Sequence, residues 1–432
     1  MNDLTIQPPV RPYGEVRLNM PPARILSNGI PLYVVDGGQD GMNRLSVFIR
    51  GGELHEARPM QAAITAFTAT EGTHSRTSQQ IAETLDYYGS RITVQAYDEW
   101  TEIAVLSLND NVQPSLDVLC DCLQHPTFLA ADMQVLQRRY AANFAAVHQQ
   151  VRFLAMMELA RMYYGDHHPL ARDIMPDDVM ALTPDDLRTF HQSHYRTANL
   201  CAVLAGQISP EVLARVTQAL ESLAMPGQAT PPFDWNAIAQ PFQAAQHVVH
   251  HPDALQSAIA IAMPAVPRRH PHYIPLRILA NVLGGYIGSR LSVNIREQKG
   301  YTYGIQAYLS GREHDGYVGI STECKIDSTW AVMDEIRLEL QRLRSEPVPD
   351  EELSLVRQNM LGDLVKTLDT PFNVGGYVAS TITIGIYPEY FNDQVHTLRT
   401  IDAQQLLEMA QRYLRDDAMA TAIVTDCNRL RT

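Results

Sequence analysis

Lysine is nearly absent from this chain. Lys299, Lys325 and Lys366 are the whole complement of 432 residues carrying a net charge of −14. Nucleic acids and anionic membranes are gripped by clustered cations, so neither is expected as a partner. An acidic surface would instead steer cationic peptides. Cysteine is also scarce. Cys120, Cys122, Cys201, Cys324 and Cys427 form an odd, scattered set without C-x-x-C spacing, which reads as reduced, buried thiols rather than a disulfide framework. No window approaches the ~20 apolar residues that a membrane span needs. The opening MNDLTIQPPVRPYGEV has no basic stretch followed by an apolar run, so no secretory signal is expected and the location is read as cytoplasmic. Several chemical signatures are missing as well: H-x-x-E-H, H-E-x-x-H and the G-x-S-x-G elbow. The glycines of NVLGGYIGSRL (281–291) lack the Lys-Ser/Thr of a phosphate loop; Gly284, Gly285 and Gly288 read as helix ends or close-packing points.

What remains is a soluble globular composition, 45% hydrophobic and 19% charged, long enough for two or three domains. The chain divides itself. MPGQATPPFDWNAIAQPFQAAQ (225–246) breaks all periodicity and reads as a linker. The expected organisation is an N-terminal domain over 1–222, a linker over 223–246 and a homologous C-terminal domain over 247–432. Each side carries a helix, a proline turn and a second helix, at 115–140 and 329–360, with Pro126 and Pro347 at the turns. Each side also carries a later helix opened by acids (Asp185 and Asp186; Asp402) and closed near a tyrosine, Tyr195 or Tyr413, before an apolar strand. That offset is too long for a solenoid and indicates a duplicated domain. RLSVFIRG, RITVQAYDEWTEIAVLSL, YGIQAYLSG and YVGISTEC alternate as half-buried strands. The fold class expected is α+β: two homologous domains, each a mainly antiparallel sheet with helices packed on one face.

Histidines are the first candidates for chemistry. His167–His168 and His247, His250 and His251 lie beside prolines without carboxylates at helical spacing, and read as solvated turn residues rather than metal ligands. NIREQKGYTYG (294–304) is more suggestive. A helix end, a turn at Gly300 and a following strand place Arg296 and Tyr303 on either side of one tight turn. Together they offer several hydrogen-bond donors, suited to a peptide carbonyl or carboxylate. The plain alternative is that Arg296 pairs with Glu297 or another surface acid, and Tyr303 is a cross-strand packing residue.

Over nearly its whole length the chain resembles the pitrilysin/insulinase-type zinc metallopeptidases, the inverzincins, which include mitochondrial processing peptidases and short bacterial two-domain members. The family's R-E-x-x-G-x-x-Y element is matched by Arg296, Glu297, Gly300 and Tyr303. GDHHPLAR (165–172) is similar to the family's G-x-H-P-x-x-R turn, and YGSRITVQAYDEWTEI (88–103) to its L-G-G-x-x-N-A-x-T region, with Thr93 and Val94 at the N-A positions. The H-x-x-E-H frame falls on PMQAAITAFTATEGT (59–73). Counting back from Gly72–Thr73 puts Ala63, Ile64, Thr65, Ala66 and Phe67 there, and Asn143 at the distal ligand, with a slip of one turn open. Both zinc histidines and the catalytic glutamate are replaced. Alanine and phenylalanine have no lone pair for a metal and cannot accept a proton.

The resemblance implies half of a clamshell with no metal or other cofactor of its own. Zinc is expected in a homologous partner subunit bearing H-x-x-E-H, with Arg296 and Tyr303 binding the peptide substrate and the two chains forming a dimer. The alternatives are a structural subunit like the respiratory-complex core proteins, or a homodimeric peptide-binding protein without hydrolytic activity.

Overall fold

A computed structural model describes residues 14–235 and 242–430. The first half runs β1 (Arg24–Ile25), β2 (Pro31–Asp36), β3 (Met42–Arg50), α1 (Gln61–Ala69), α2 (Ser78–Tyr87), β4 (Arg91–Ala96), β5 (Trp100–Leu108), α3 (Val112–Gln124), α4 (Ala130–Val147), α5 (Val151–Tyr164), α6 (Pro176–Met180), α7 (Pro184–His194), β6 (Leu200–Gly206) and α8 (Pro210–Glu221). The second runs β7 (Gln246–His250), β8 (Ser257–Pro264), α9 (Tyr273–Ala280), β9 (Thr302–Gly311), β10 (Gly316–Cys324), α10 (Thr329–Ser345), α11 (Asp350–Thr367), α12 (Pro371–Thr383), α13 (Tyr390–Thr400), α14 (Ala403–Tyr413) and β11 (Ala420–Thr425). Between α9 and β9 the chain makes two π-helical turns, Asn281–Gly285 and Ser292–Gln298.

The duplication expected from the sequence is present in five strands of each half, the short β1 being an addition to the first. One sheet has the order β1-β2-β6-β3-β5-β4 and the other β7-β11-β8-β10-β9. β2 and β6 pair in parallel, as do β7 and β11; the remaining pairs are antiparallel. The proline turns fall between α3 and α4 and between α10 and α11. Asp186 and Asp402 belong to capping boxes at the starts of α7 and α14: Thr183 Oγ1 accepts from Asp186 N while Asp186 accepts from Thr183 N, and Asp402 accepts from Gln405 N. Such caps satisfy amide groups that the first helical turn leaves open. Of the stretch read as a linker, residues 236–241 lie outside the described residues.

The strand alternation is clearest in β9 and is lost in the sheet interiors. β6 and β11 are buried at every position, and Val47, Phe48 and Ile49 of β3 are buried consecutively. The reason is an exchange between the halves. The helical layer of each half covers one face of its own sheet, as expected, while α5 and α12 cross over to cover the other. Ala155 and Leu159 of α5 lie on Ala258, Ala260 and Ala262 of β8 and Ala420, Ala422 and Val424 of β11. Val378 and Ala379 of α12 lie on Phe48 of β3 and on Cys201 and Val203 of β6. Small side chains flatten the sheet surfaces and let each helix approach closely. At Gly375 the approach is closest: an added Cβ would stand 2.6 Å from Ala205 Cβ.

The cysteines are all free thiols. Burial pushes the Cys122 thiol up to about 12, as for an inert packing residue. Cys427 departs from the expectation of burial, because it follows β11 on the surface.

Candidate functional site

α1 carries the positions where the metallopeptidase motif would stand. Ala63 and Ala66 are 7% and 0% exposed, packed under α7, α4 and β4. Thr70 ends the helix, and the following turn is bolted to α3: Thr73 Oγ1 donates to Asp121 Oδ2 at 2.6 Å and Arg76 Nη1 at 2.7 Å. Phe67 is half-buried, its ring 6.0 Å from that of Tyr140 on α4. The Arg139 guanidinium lies over both rings, 5.7 Å from Phe67 and 5.4 Å from Tyr140. Asn143, one turn beyond Tyr140, is exposed.

These residues do not fit a zinc ion. The helix presents methyl groups, a phenyl ring and neutral hydroxyls where imidazoles and a carboxylate would be needed, and a guanidinium already covers the phenyl face. Asn143 adds only a neutral amide. Among the described residues, the cluster of His, Cys, Asp or Glu side chains close enough to share a metal is Glu99, Glu313 and His314, none of them on α1 or α4.

The Arg/Tyr element lies in the second half. Arg296 belongs to the π-helical turn Ser292–Gln298, Gly300 takes φ +63°, and Tyr303 opens the outer edge strand β9. The turn is pinned from both sides. Asn294 Nδ2 donates to Glu339 Oε1 at 2.7 Å and Glu335 Oε2 at 3.1 Å, and Lys299 pairs with Glu335. Thr302 Oγ1 donates to Glu323 O at 2.6 Å. Gly284 lets the preceding turn lie directly on β9, where an added Cβ would meet Ala307 N at 2.4 Å. On this braced platform the two residues of interest stay free. Tyr303 is 92% exposed and Arg296 is half-buried. Neither has a hydrogen-bond or ion-pair partner among the described residues. The plain alternative, a surface ion pair and a packing tyrosine, therefore does not describe them.

A second feature had no clear signal in the sequence. A cavity of about 690 Å³ lies between the halves, walled by β3, β5 and β6, by α12 and by the β9–β10 turn. Trp100 Nε1 donates across it to Thr383 O at 2.9 Å, and Arg312 Nε to Asp98 Oδ2 at 2.6 Å. The only hint was that YDEW and GREHDG, the equivalent hairpin tips of the two halves, are both rich in charge. The histidine readings need correction here. His168 is 4% exposed, between Tyr164 and Trp235, and its Nδ1 accepts from Leu170 N. The left-handed Gly165 turn (φ +84°) and the incoming linker enclose it. His247 and His250 lie in β7 rather than a turn, and His247 Nδ1 meets Glu158 Oε1 at 2.7 Å.

Comparison with known proteins agrees with this architecture. Residues 43–176 match the model of the insulinase family (peptidase family M16), and residues 181–360 match that of the peptidase M16 inactive domain. The uncharacterized zinc protease YmxG of Bacillus subtilis is 24% identical over 79% of this chain and 83% of its own. A probable mitochondrial-processing peptidase subunit beta of Arabidopsis thaliana is 20% identical over 82% of this chain and 68% of its own. Among solved structures, a peptidase M16 inactive domain from Pseudomonas fluorescens superposes with a TM-score of 0.86 at 20% identity, covering 94% of this chain and 98% of that one. The two family models together span most of the chain, their duplicated fold is present in full, and the metal-binding positions hold no ligands: the chain belongs to the insulinase (M16) peptidase family, as a member without the catalytic motif.

Proposed function

We propose that this chain is the substrate-gripping, non-catalytic subunit of a two-chain peptidase, with bond cleavage supplied by a homologous chain that retains H-x-x-E-H and its zinc. The observation that carries this reading is the pair Arg296 and Tyr303: donors on a braced platform, accessible and without partners among the described residues. With no partner among the described residues, the Arg296 guanidinium keeps its donors available to a ligand. A peptide backbone would supply the missing acceptors. Arg296 donates to a substrate carbonyl, or to oxygen gaining charge as the peptide is attacked, and Tyr303 donates beside it. The free edge of β9 offers the substrate further backbone groups in strand geometry. The two chains would close as halves of a clamshell, this one fixing the peptide in register. The similarity to an Arabidopsis protein named as a subunit accords with a paired arrangement.

Reconstitution with the motif-bearing homologue tests the proposal. A charge-assisted hydrogen bond contributes roughly 1.5–3 kcal/mol, so Arg296→Ala should lower kcat/KM about 10- to 100-fold. Tyr303→Phe should lower it less, by about 3- to 10-fold for a neutral donor. Zinc content of the pair should not change. Full turnover in both variants would overturn the assignment.

A further inference from the structure

We infer that the seam between the two halves holds a divalent transition-metal site of its own, formed by Glu99, Glu313 and His314 with His55 behind them. This site is separate from the substrate-gripping role and from the lost motif on α1. It arises where the equivalent hairpin tips of the duplicated halves meet. Glu99 ends the β4–β5 turn of the first half; Glu313 and His314 form the β9–β10 turn of the second. The Arg312–Asp98 pair clasps the two tips next to them.

Three observations converge on a cation. The ligand atoms of Glu99, Glu313 and His314 all lie within 4.8 Å of one another. Ligands of a tetrahedral ion at about 2.1 Å stand about 3.4 Å apart, so a closure of at most about 1.4 Å brings the three onto one metal. Glu313 and His314 side chains, 30% and 40% exposed, have room to make it. Secondly, Glu99 is a buried carboxylate with little to satisfy it. Its side chain is 9% exposed, and its closest donors, Arg50 Nη1 and Phe233 N, both stand at 3.5 Å. A buried anion served only by contacts at the limit of hydrogen bonding is costly unless another cation joins it. Thirdly, and independently, His55 is 9% exposed at its side chain, and its Nε2 is buried with no hydrogen-bond partner among the described residues. That nitrogen stands 4.0 Å from Glu99 Oε2. The gap is too long for a hydrogen bond, so a buried, polar nitrogen faces the carboxylate that would hold the ion. Phe233 lies edge-on to His55, and Trp235 lies beside the His314 ring, so the linker encloses the site.

Two carboxylates and an imidazole, with the His55 imidazole beside Glu99, suit Zn²⁺ or a neighbouring first-row ion, not Mg²⁺ or Ca²⁺, which prefer all-oxygen shells. The ion would act as a staple. One tip comes from each half, so binding links the halves directly, at the wall of the seam cavity that Glu99 and Glu313 line.

The test is calorimetric titration of chelator-treated, desalted full chain with ZnCl₂, alongside thermal unfolding with and without the metal. One equivalent should bind, and the melting temperature should rise with zinc concentration. Glu313→Ala and His314→Ala lie in a part-exposed turn and are chosen to leave folding intact. Each should weaken zinc binding at least about 10-fold and abolish the thermal shift. Absence of saturable binding to the parent chain would overturn the inference. So would parent-like binding in both variants, because the ion would then be held elsewhere. Peptide turnover by the reconstituted pair is not the readout, so this result stands or falls apart from the Arg296 and Tyr303 assignment.

Discussion

Two adjacent glycines on α12 form a matched pair with opposite expected effects. Gly375 is buried against the first sheet, and a Cβ there would lie 2.6 Å from Ala205 Cβ; Gly376 is exposed, with nothing within 4 Å of its Cβ position. Carbon atoms rest at about 3.5–4.0 Å, so Gly375→Ala must push α12 off β6 by about 1 Å. Overpacking of this kind costs roughly 1–3 kcal/mol. The helix gains about 1 kcal/mol when alanine replaces glycine, so the net expected at Gly375 is a loss of about 1 kcal/mol. At Gly376 only the helical gain operates, and Gly376→Ala should stabilise by up to about 1 kcal/mol. Guanidinium unfolding of the two variants and the parent, read by far-UV circular dichroism, measures the difference. The midpoints should move in opposite directions. Equal shifts, or stabilisation by Gly375→Ala, would refute the close seating of a second-half helix on the first sheet.

Two further predictions concern single contacts. His191 donates from Nε2 to Leu123 O at 2.9 Å and stacks on Tyr195, and burial lowers its pKa from the usual 6.5 to about 4. It stays neutral in the fold where the unfolded chain would already be protonated, so its contribution is complete above pH 6.5 and is lost as pH falls from 6.5 to 4. The loss should reach on the order of 2–3 kcal/mol, and thermal melts of His191→Gln should show a flatter acid limb than the parent. Trp100→Phe removes the donor to Thr383 O across the seam and should cost about 1 kcal/mol in the same denaturant assay; no change would mean that water already serves this carbonyl.

Much of the fold was legible because it depends on local signals. Pro126 and Pro347 mark equivalent helix pairs, acids in capping boxes mark the equivalent helices α7 and α14, and part of the edge strand β9 alternates between buried and exposed positions. The exchange of α5 and α12 was not legible. Nothing local in residues 151–164 tells that Ala155 and Leu159 face alanines at 258–262 and 420–422. The same non-local packing buries both faces of β6 and β11 and defeats the half-buried reading. At the site, Arg296, Gly300 and Tyr303 were identifiable from spacing and resemblance, but only coordinates could show that the two donors are unpartnered. His168 was misread because its cover, Trp235, comes from the linker. Glu99, Glu313 and His314 meet only when two distant hairpin tips converge.

The central claim is that α1 cannot support hydrolysis and that this chain works on substrate held for another's metal. Its most direct measurement is peptide cleavage by the purified chain supplied with zinc, first alone and then mixed with the H-x-x-E-H homologue. Using the Glu313→Ala variant in parallel keeps zinc at the seam from confusing the result. The account predicts no cleavage by either form alone and chelator-sensitive cleavage in the mixture that falls with Arg296→Ala. Zinc-dependent cleavage by the isolated chain would contradict it.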